Sequence, residues 1–200
     1  YEELDRFAYV ASHDLKAPLR SIGQLANWIT EDVGESLPAQ SQTHLSKLRG
    51  RVSRMETLLN DLLAYARAGR RRYEPEEVNT GQLVLTIVDL LAPPPGFTVS
   101  VAENLPTLVT ERVPLETVLR NLLGNAMKHH ERPEVGQVHV TAQTQRSNVE
   151  FRVIDNGPGI DPQYHQRIFD PSQTLKPRDQ VEGSGMGLAI VKKIIESRGG

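Results

Sequence analysis

The chain has 200 residues, 38% hydrophobic and 24% charged, with 23 Lys and Arg against 25 Asp and Glu for a formal net charge of −2. That balance excludes the broad basic field with which nucleic-acid binders meet phosphate. The absence of cysteine excludes disulfides, thiolate metal sites and cysteine nucleophiles. A membrane span needs about 20 apolar residues, whereas the most apolar stretch, 83–92, carries Asp89 and stops at Pro93. The acidic start YEELDRF has no signal-peptide pattern.

Residues 1–33 are predicted to form one long helix. Ala8, Leu15, Ile22 and Ile29 recur at heptad spacing, as do Leu4, Ala11, Pro18 and Leu25, giving an a/d seam. Pro18 should bend it, since proline lacks a donor and crowds the preceding turn. Gly34 and the segment ESLPA turn the chain. A second helix, 39–68, carries one column of Leu45, Val52, Leu59 and Ala66 and another of Leu48, Met55 and Leu62. Two such helices make an antiparallel hairpin that cannot cover its own apolar faces. Leu19, Ala26 and Val33 on the first helix, with Leu58 and Leu63 on the second, add to the surplus. A homodimer through helices 1–33 and 39–68, closing into a four-helix bundle, is the simplest way to bury it.

Residues 69–78, GRRRYEPEEV, read as a polar linker or hinge; the arginine run suits either phosphate or a solvated junction. Beyond it the texture changes. A helix over 80–91 ends at Pro93-Pro94-Pro95, and FTVSVA (97–102) alternates like a strand. A helix follows from about Pro114 to His130, then strands over 136–145 and 148–155. A glycine-rich stretch runs from 156 to 184 and a last helix covers 186–198. The expected class is α+β, with helices on one face of a largely antiparallel sheet.

Four segments carry candidate chemistry. His13 falls at heptad position f when Leu15 occupies a, so its ring should face solvent, with Asp14 beside it in sequence. An imidazole accepts a phosphoryl group when one nitrogen is free and the other is held by an acceptor such as Asp14; a plain surface histidine fits the same position. Asn121 and Asn125 lie four apart on one helix face, continued by Lys128 and His129. Asparagine is a poor helix former, and the Asn125 carbonyl suits Mg²⁺, a hard cation; two exposed asparagines would look the same. DNGPGI (155–160) follows a strand, and its tight turn brings backbone close to a flat ligand. Asp155 there suits the exocyclic amine of adenine, or simply caps a turn. GSGMG (183–187) opens the last helix, where free N–H groups and the helix dipole attract phosphate, although a short glycine-rich turn alone is a weak signal.

In combination these segments say more. SHDLKAPL (12–19), NLLGNAMKH (121–129), DNGPGI (155–160), RIFDP (167–171) and GSGMGL (183–188) occur in one order over nearly the whole chain. The sequence closely resembles the transmitter core of a sensor histidine kinase: a dimerisation and phosphoacceptor hairpin, then a Bergerat-type ATP-binding domain of α/β sandwich architecture. The segments resemble that family's H, N, G1, F and G2 boxes. The implied domains are 1–68 for dimerisation and phosphoacceptance, 69–78 for the linker and 79–200 for the ATP-binding catalytic domain. The resemblance implies that His13 is the phosphoacceptor, with Asp14 its acidic partner. Asn125 would ligate Mg²⁺ beside Asn121, Lys128 would reach phosphate and His129 would line the nucleotide site. Asp155 would read adenine, with Gly157 and Gly159 shaping its pocket and Gly183, Gly185 and Gly187 the phosphate end. Residues 161–184 would form a mobile lid anchored by Phe169.

The implied activity is ATP-dependent autophosphorylation of His13, then transfer to an aspartate of a response-regulator receiver domain docking near His13. The implied setting is cytoplasmic, with a sensor domain preceding Tyr1 and membrane attachment of the whole protein open. Three departures qualify the resemblance. Ala17 stands where many relatives carry Thr or Asn, which argues against phosphatase activity. Ser172 replaces an aromatic often found in the F box, which implies a looser lid. The family continues past the last helix into further strands, whereas this chain stops at Gly199-Gly200, implying a truncated domain without them. Two rivals remain. ATP-hydrolysing relatives of the gyrase, chaperone or MutL kind carry a water-activating Glu four residues before the metal-binding Asn, where this chain has Asn121, which is no general base. A dimeric scaffold with a dead ATP site is the other.

Overall fold

The computed structural model describes residues 2–70, 72–146, 148–175 and 184–200; the side chains of residues 2–13, including His13, lie outside the described set. The chain divides into two compact units.

The first unit comprises the chain through Arg67 with the described residues of 171–186. Helix α1 (Glu2–Val33) runs without interruption through Pro18. A 3-10 turn (Gly34–Ser36) reverses the chain, and Gln42 Nε2 braces it by donating to the carbonyls of Gly34 and Leu37 at 2.9 and 3.1 Å. Helix α2 (Ala39–Arg67) packs back along α1. The expected hairpin is present, but the stripe of α1 that faces α2 is not the predicted seam. Leu19 and Ala26 are buried at 8% and 1% exposure, with Gly23 between them; a Cβ there would lie 3.2 Å from Val52 Cγ1. Leu15, Ile22, Leu25, Trp28 and Ile29 are all more than 40% exposed. Small residues let the helices approach, so the stripe expected merely to widen the seam makes the intrachain contact. On α2, Val52 is buried with Leu45 and Leu59 half-buried, whereas Leu48, Met55 and Leu62 face outward.

The second unit comprises residues 68–170 and 187–200. Its first strand, β1 (Glu76–Asn79), begins inside the predicted linker. It pairs antiparallel with β3 (Thr107–Thr110), a strand the sequence reading did not predict. A three-stranded sheet has the order β2 (Thr98–Val101), β4 (Gln137–Gln145), β5 (Asn148–Asp155). There β2 runs parallel to β4, with Val99 opposite Val138, and β5 runs antiparallel to β4. The predicted antiparallel arrangement thus holds for two of three pairings, and the sheet is mixed.

Helix α3 (Thr80–Leu91) starts where Asn79 Oδ1 accepts from Gln82 N at 2.9 Å. It ends with Ala92 in the left-handed region ahead of the three prolines. Its buried Leu83, Val84 and Ile87 share one face. That face joins Val78, Phe97, Val138 and Val140 from the strands and Leu119 and Leu123 of α4 (Arg112–Lys128) in one core. Helix α5 (Gly187–Glu196) packs on α4 through its buried face of Ala189, Ile190, Val191 and Ile194.

Candidate nucleotide site and phosphoacceptor helix

Helix α4 turns Val118, Leu119 and Leu123 to the core, which leaves Asn121 and Asn125 half-buried and Lys128 and His129 exposed on its other side. Asn121 Nδ2 donates to Thr117 O one turn back, at 2.8 Å. That bond orients the carboxamide so that Oδ1 faces the first residue of α5. A Cβ on Gly187 would lie 2.7 Å from Asn121 Oδ1, so any side chain there would push the asparagine away. Asn121 and the start of α5 are thus in close contact, and glycine at 187 is what leaves room for it. No hydrogen bond to another described residue engages the Asn125 carboxamide, while its backbone carbonyl accepts from His129 N at 3.0 Å.

Asp155 is the last residue of β5, opposite Val138, and is exposed. Its Oδ1 accepts from Gly157 N at 2.9 Å, which leaves Oδ2 for a ligand donor. A Cβ on Gly157 would come within 2.7 Å of that Oδ1. Gly159 and Gly185 both adopt positive φ, at 71° and 72°, backbone that glycine alone enters without strain. Phe169 is half-buried and ends a 3-10 turn (Arg167–Phe169) that packs on α5. A second 3-10 turn (Pro162–Tyr164) is capped by Asp161, which accepts from Gln163 N at 3.0 Å. The start of the expected lid is thus organised in short turns. Gly183 lies outside the described residues.

Within the first unit, Ser172 Oγ donates to Met186 Sδ at 3.5 Å, and Ser184 Oγ donates to Asp61 Oδ2 and accepts from Met186 N. Ser172 therefore has a polar contact where an aromatic was missed. His13 sits on α1, followed by an exposed Asp14.

Three groups of functional interest escaped the sequence reading. Asn156 joins β5 to the start of β4, and His130 stands behind it. Glu111 and Arg198 form a salt bridge with side chains only 13% and 22% exposed. Glu111 Oε1 accepts from Tyr73 N at 2.7 Å and Oε2 from Arg198 Nε at 2.6 Å. The Tyr73 N–H, then Arg198 and Arg72, hold the Glu111 carboxyl below the ordinary glutamate range against an opposing effect of burial. Gly69 packs on the Ser197 side chain, where a Cβ would approach to 2.7 Å. The first residues of the expected linker are therefore fastened to the second unit. Nothing in the pattern marks Glu111 as anything but a helix-start residue.

Comparison with known proteins gives two family matches. The His Kinase A (phospho-acceptor) domain matches residues 3–71, and the histidine kinase-, DNA gyrase B- and HSP90-like ATPase matches residues 110–200. Cyanobacterial phytochrome B of Nostoc sp. is 34% identical over 207 residues, covering 100% of this chain and 27% of that protein. The methanogenesis regulatory histidine kinase FilI of Methanothrix harundinacea is 34% identical, covering 99% and 22%. The crystal structure of full-length ShkA in complex with AMPPNP superposes with a TM-score of 0.73 at 27% identity, covering 97% of this chain and 41% of that one. The mycobacterial sensor histidine kinase MprB gives 0.50 at 27% identity, over 62% and 80%. The chain spans about a quarter of the length of the curated relatives it matches.

A phosphoacceptor hairpin ahead of an ATPase-type α/β unit makes this a two-part transmitter protein. The chain belongs to the sensor histidine kinase family. No helix among the described residues is long and apolar enough to cross a membrane.

Proposed function

We propose that this chain binds ATP in its second unit, autophosphorylates His13 and passes the phosphoryl group to an aspartate of a response-regulator receiver domain docking near His13. The observation that carries the reading is the succession, in one chain, of a phosphoacceptor hairpin and an ATPase-type unit in which Asn121 occupies the place of a hydrolytic base. Asn121 spends its amide on Thr117 O and turns its carbonyl to α5; an amide cannot take a proton from water, so transfer to a protein acceptor is favoured over hydrolysis.

Asp155 Oδ2 would accept from the adenine amine while Gly157 N–H holds Oδ1. The N-terminus of α5 would meet the phosphates, with Lys128 adding positive charge. Asn125 supplies a half-buried oxygen with no described partner, which fits one protein ligand to Mg²⁺. No three acidic or imidazole side chains cluster among the described residues, so the ion would be shared with nucleotide oxygens and water. Bound Mg²⁺ would neutralise phosphate charge. One ring nitrogen of His13 attacks the γ-phosphorus, the bond to the β–γ bridging oxygen breaks and ADP leaves; Asp14 holds the other ring nitrogen.

Because Gly69 and Tyr73 are fastened to α5 and Glu111, a hinge following α2 would fall ahead of Gly69. A second copy of the hairpin would cover the outward stripe of Leu15, Ile22, Leu25, Trp28, Leu48 and Met55. Ala17 argues against acceleration of receiver dephosphorylation. Incubation with radiolabelled ATP tests the reading. Acid-labile, base-stable label on the protein is expected, and His13→Gln should lose it while still binding nucleotide. Free phosphate without labelled protein would favour the hydrolase; a folded chain that binds no Mg-ATP would favour the scaffold.

A further inference from the structure

The turn that carries Asp155 is held from behind by a hydrogen-bonded group with no part in the chemistry above. Asn156 N donates to Gln137 O at 3.2 Å, and Asn156 Oδ1 accepts from Gln137 N at 2.6 Å. The side chain thus supplies the next rung of the β4–β5 ladder after the strand has ended. Asn156 Nδ2 donates to Val135 O at 3.1 Å, and Oδ1 also meets His130 Nε2 at 2.9 Å. Arg132 N donates to His130 Nδ1 at 3.1 Å. An Nδ1 that accepts leaves the proton on Nε2, so His130 is the donor to Asn156. The imidazole is fixed further by an edge-on contact with Phe97, with ring centroids 5.7 Å apart at 85°. Its Cδ2 would lie 3.4 Å from a Cβ on Gly157. Gly136 leaves room for Phe97, since a Cβ there would clash with the ring edge at Cδ2 and Cε2.

We infer that His130 and Asn156 are positioning residues for base selection: they hold the end of β5 so that the Asp155 carboxylate meets an amine and rejects a carbonyl on the purine. The inference rests on the reading of Asp155 as the adenine contact. It follows from where the group sits. Asp155 has one backbone donor on its carboxylate, from Gly157, and the residue between them is the one clasped on three sides. Freed from Gln137 and His130, the turn would let the carboxylate swing, and the hydrogen bond that discriminates adenine from guanine would weaken more than binding as a whole.

The test displaces a fluorescent ADP analogue from the full chain with ADP and with GDP. Asn156→Ala and His130→Leu are expected to lower the ADP-over-GDP preference roughly tenfold, with a smaller loss in total affinity. His130→Gln, whose amide can still donate to Asn156 Oδ1, should keep most of the preference. A uniform loss for both nucleotides, or an unchanged ratio, would overturn the inference, because a merely structural role weakens both alike. Should Asn156→Ala fail to fold, His130→Leu carries the test, since it removes one donor and keeps an apolar group against Phe97. Asp155→Asn tests the underlying reading separately. If it retains the adenine preference, that reading fails; if it loses the preference while the other variants keep it, only the positioning role fails.

Discussion

Replacing Glu111 by Gln probes the clasp between the start of the chain's second unit and the turn that follows its last helix. The substitution keeps a neutral acceptor for Tyr73 N–H but removes the charge that faces Arg198. Hydrogen bonds to a charged group contribute about 1.5–3 kcal/mol against about 1 kcal/mol for neutral ones. Both side chains keep some solvent contact, at 13% and 22% exposure, so the lower end applies, about 2 kcal/mol. For a chain of this size that corresponds to a fall of roughly 4–8 °C in melting temperature. The native carboxyl is held below the ordinary glutamate range. Its contribution is therefore complete above the unfolded-state value and disappears as pH falls through the native one. Thermal unfolding followed by circular dichroism should show wild type above Glu111→Gln near neutrality, the gap closing in acid. Equal melting near neutrality, or a gap that persists or widens as pH falls, would refute the reasoning.

Further expectations concern the site and the hairpin. Asn125→Ala should cut Mg-ATP-dependent labelling at least about tenfold with helical circular dichroism retained; undiminished labelling would remove the metal role. Gly187→Ala places a methyl 2.7 Å from Asn121 Oδ1 and should destabilise by about 1–3 kcal/mol while weakening nucleotide binding; an unchanged melting point would show that the asparagine yields freely. Ile22→Glu puts a charge in the outward stripe of α1 and should shift sedimentation from dimer to monomer, and a persistent dimer would mean that the stripe is not the interface.

Much of the architecture was legible because periodicity reports burial. The boundaries of α1, α2, α3 and α5 and the β4–β5 hairpin fall within a few residues of expectation. Heptad counting misjudged which stripe of α1 meets α2, because adjacent stripes are equally apolar and only the small residues Gly23 and Ala26 signal close approach. β1 and β3 are four residues each, with Glu76, Glu77 and Val109 exposed; too few residues alternate to register. Strand direction is invisible to alternation, so the parallel pairing of β2 escaped notice. In the candidate site, Asn121, Asn125 and Asp155 stood out through the ordered set of motifs that carries them, since each alone also reads as an ordinary surface or turn residue. His130, Asn156 and Glu111 look like ordinary loop and cap residues, and their partners are distant in sequence or are backbone groups.

The parallel pairing of β2 with β4 also bears on the order of assembly. A hairpin such as β4–β5 closes locally within microseconds. β2 and β4 are separated in sequence by β3 and α4, so their pairing must close a much longer loop. The sequence separation of that pairing places it later in refolding than the β4–β5 hairpin, as it does for β1 with β3, whereas the α1–α2 hairpin is built from sequence neighbours.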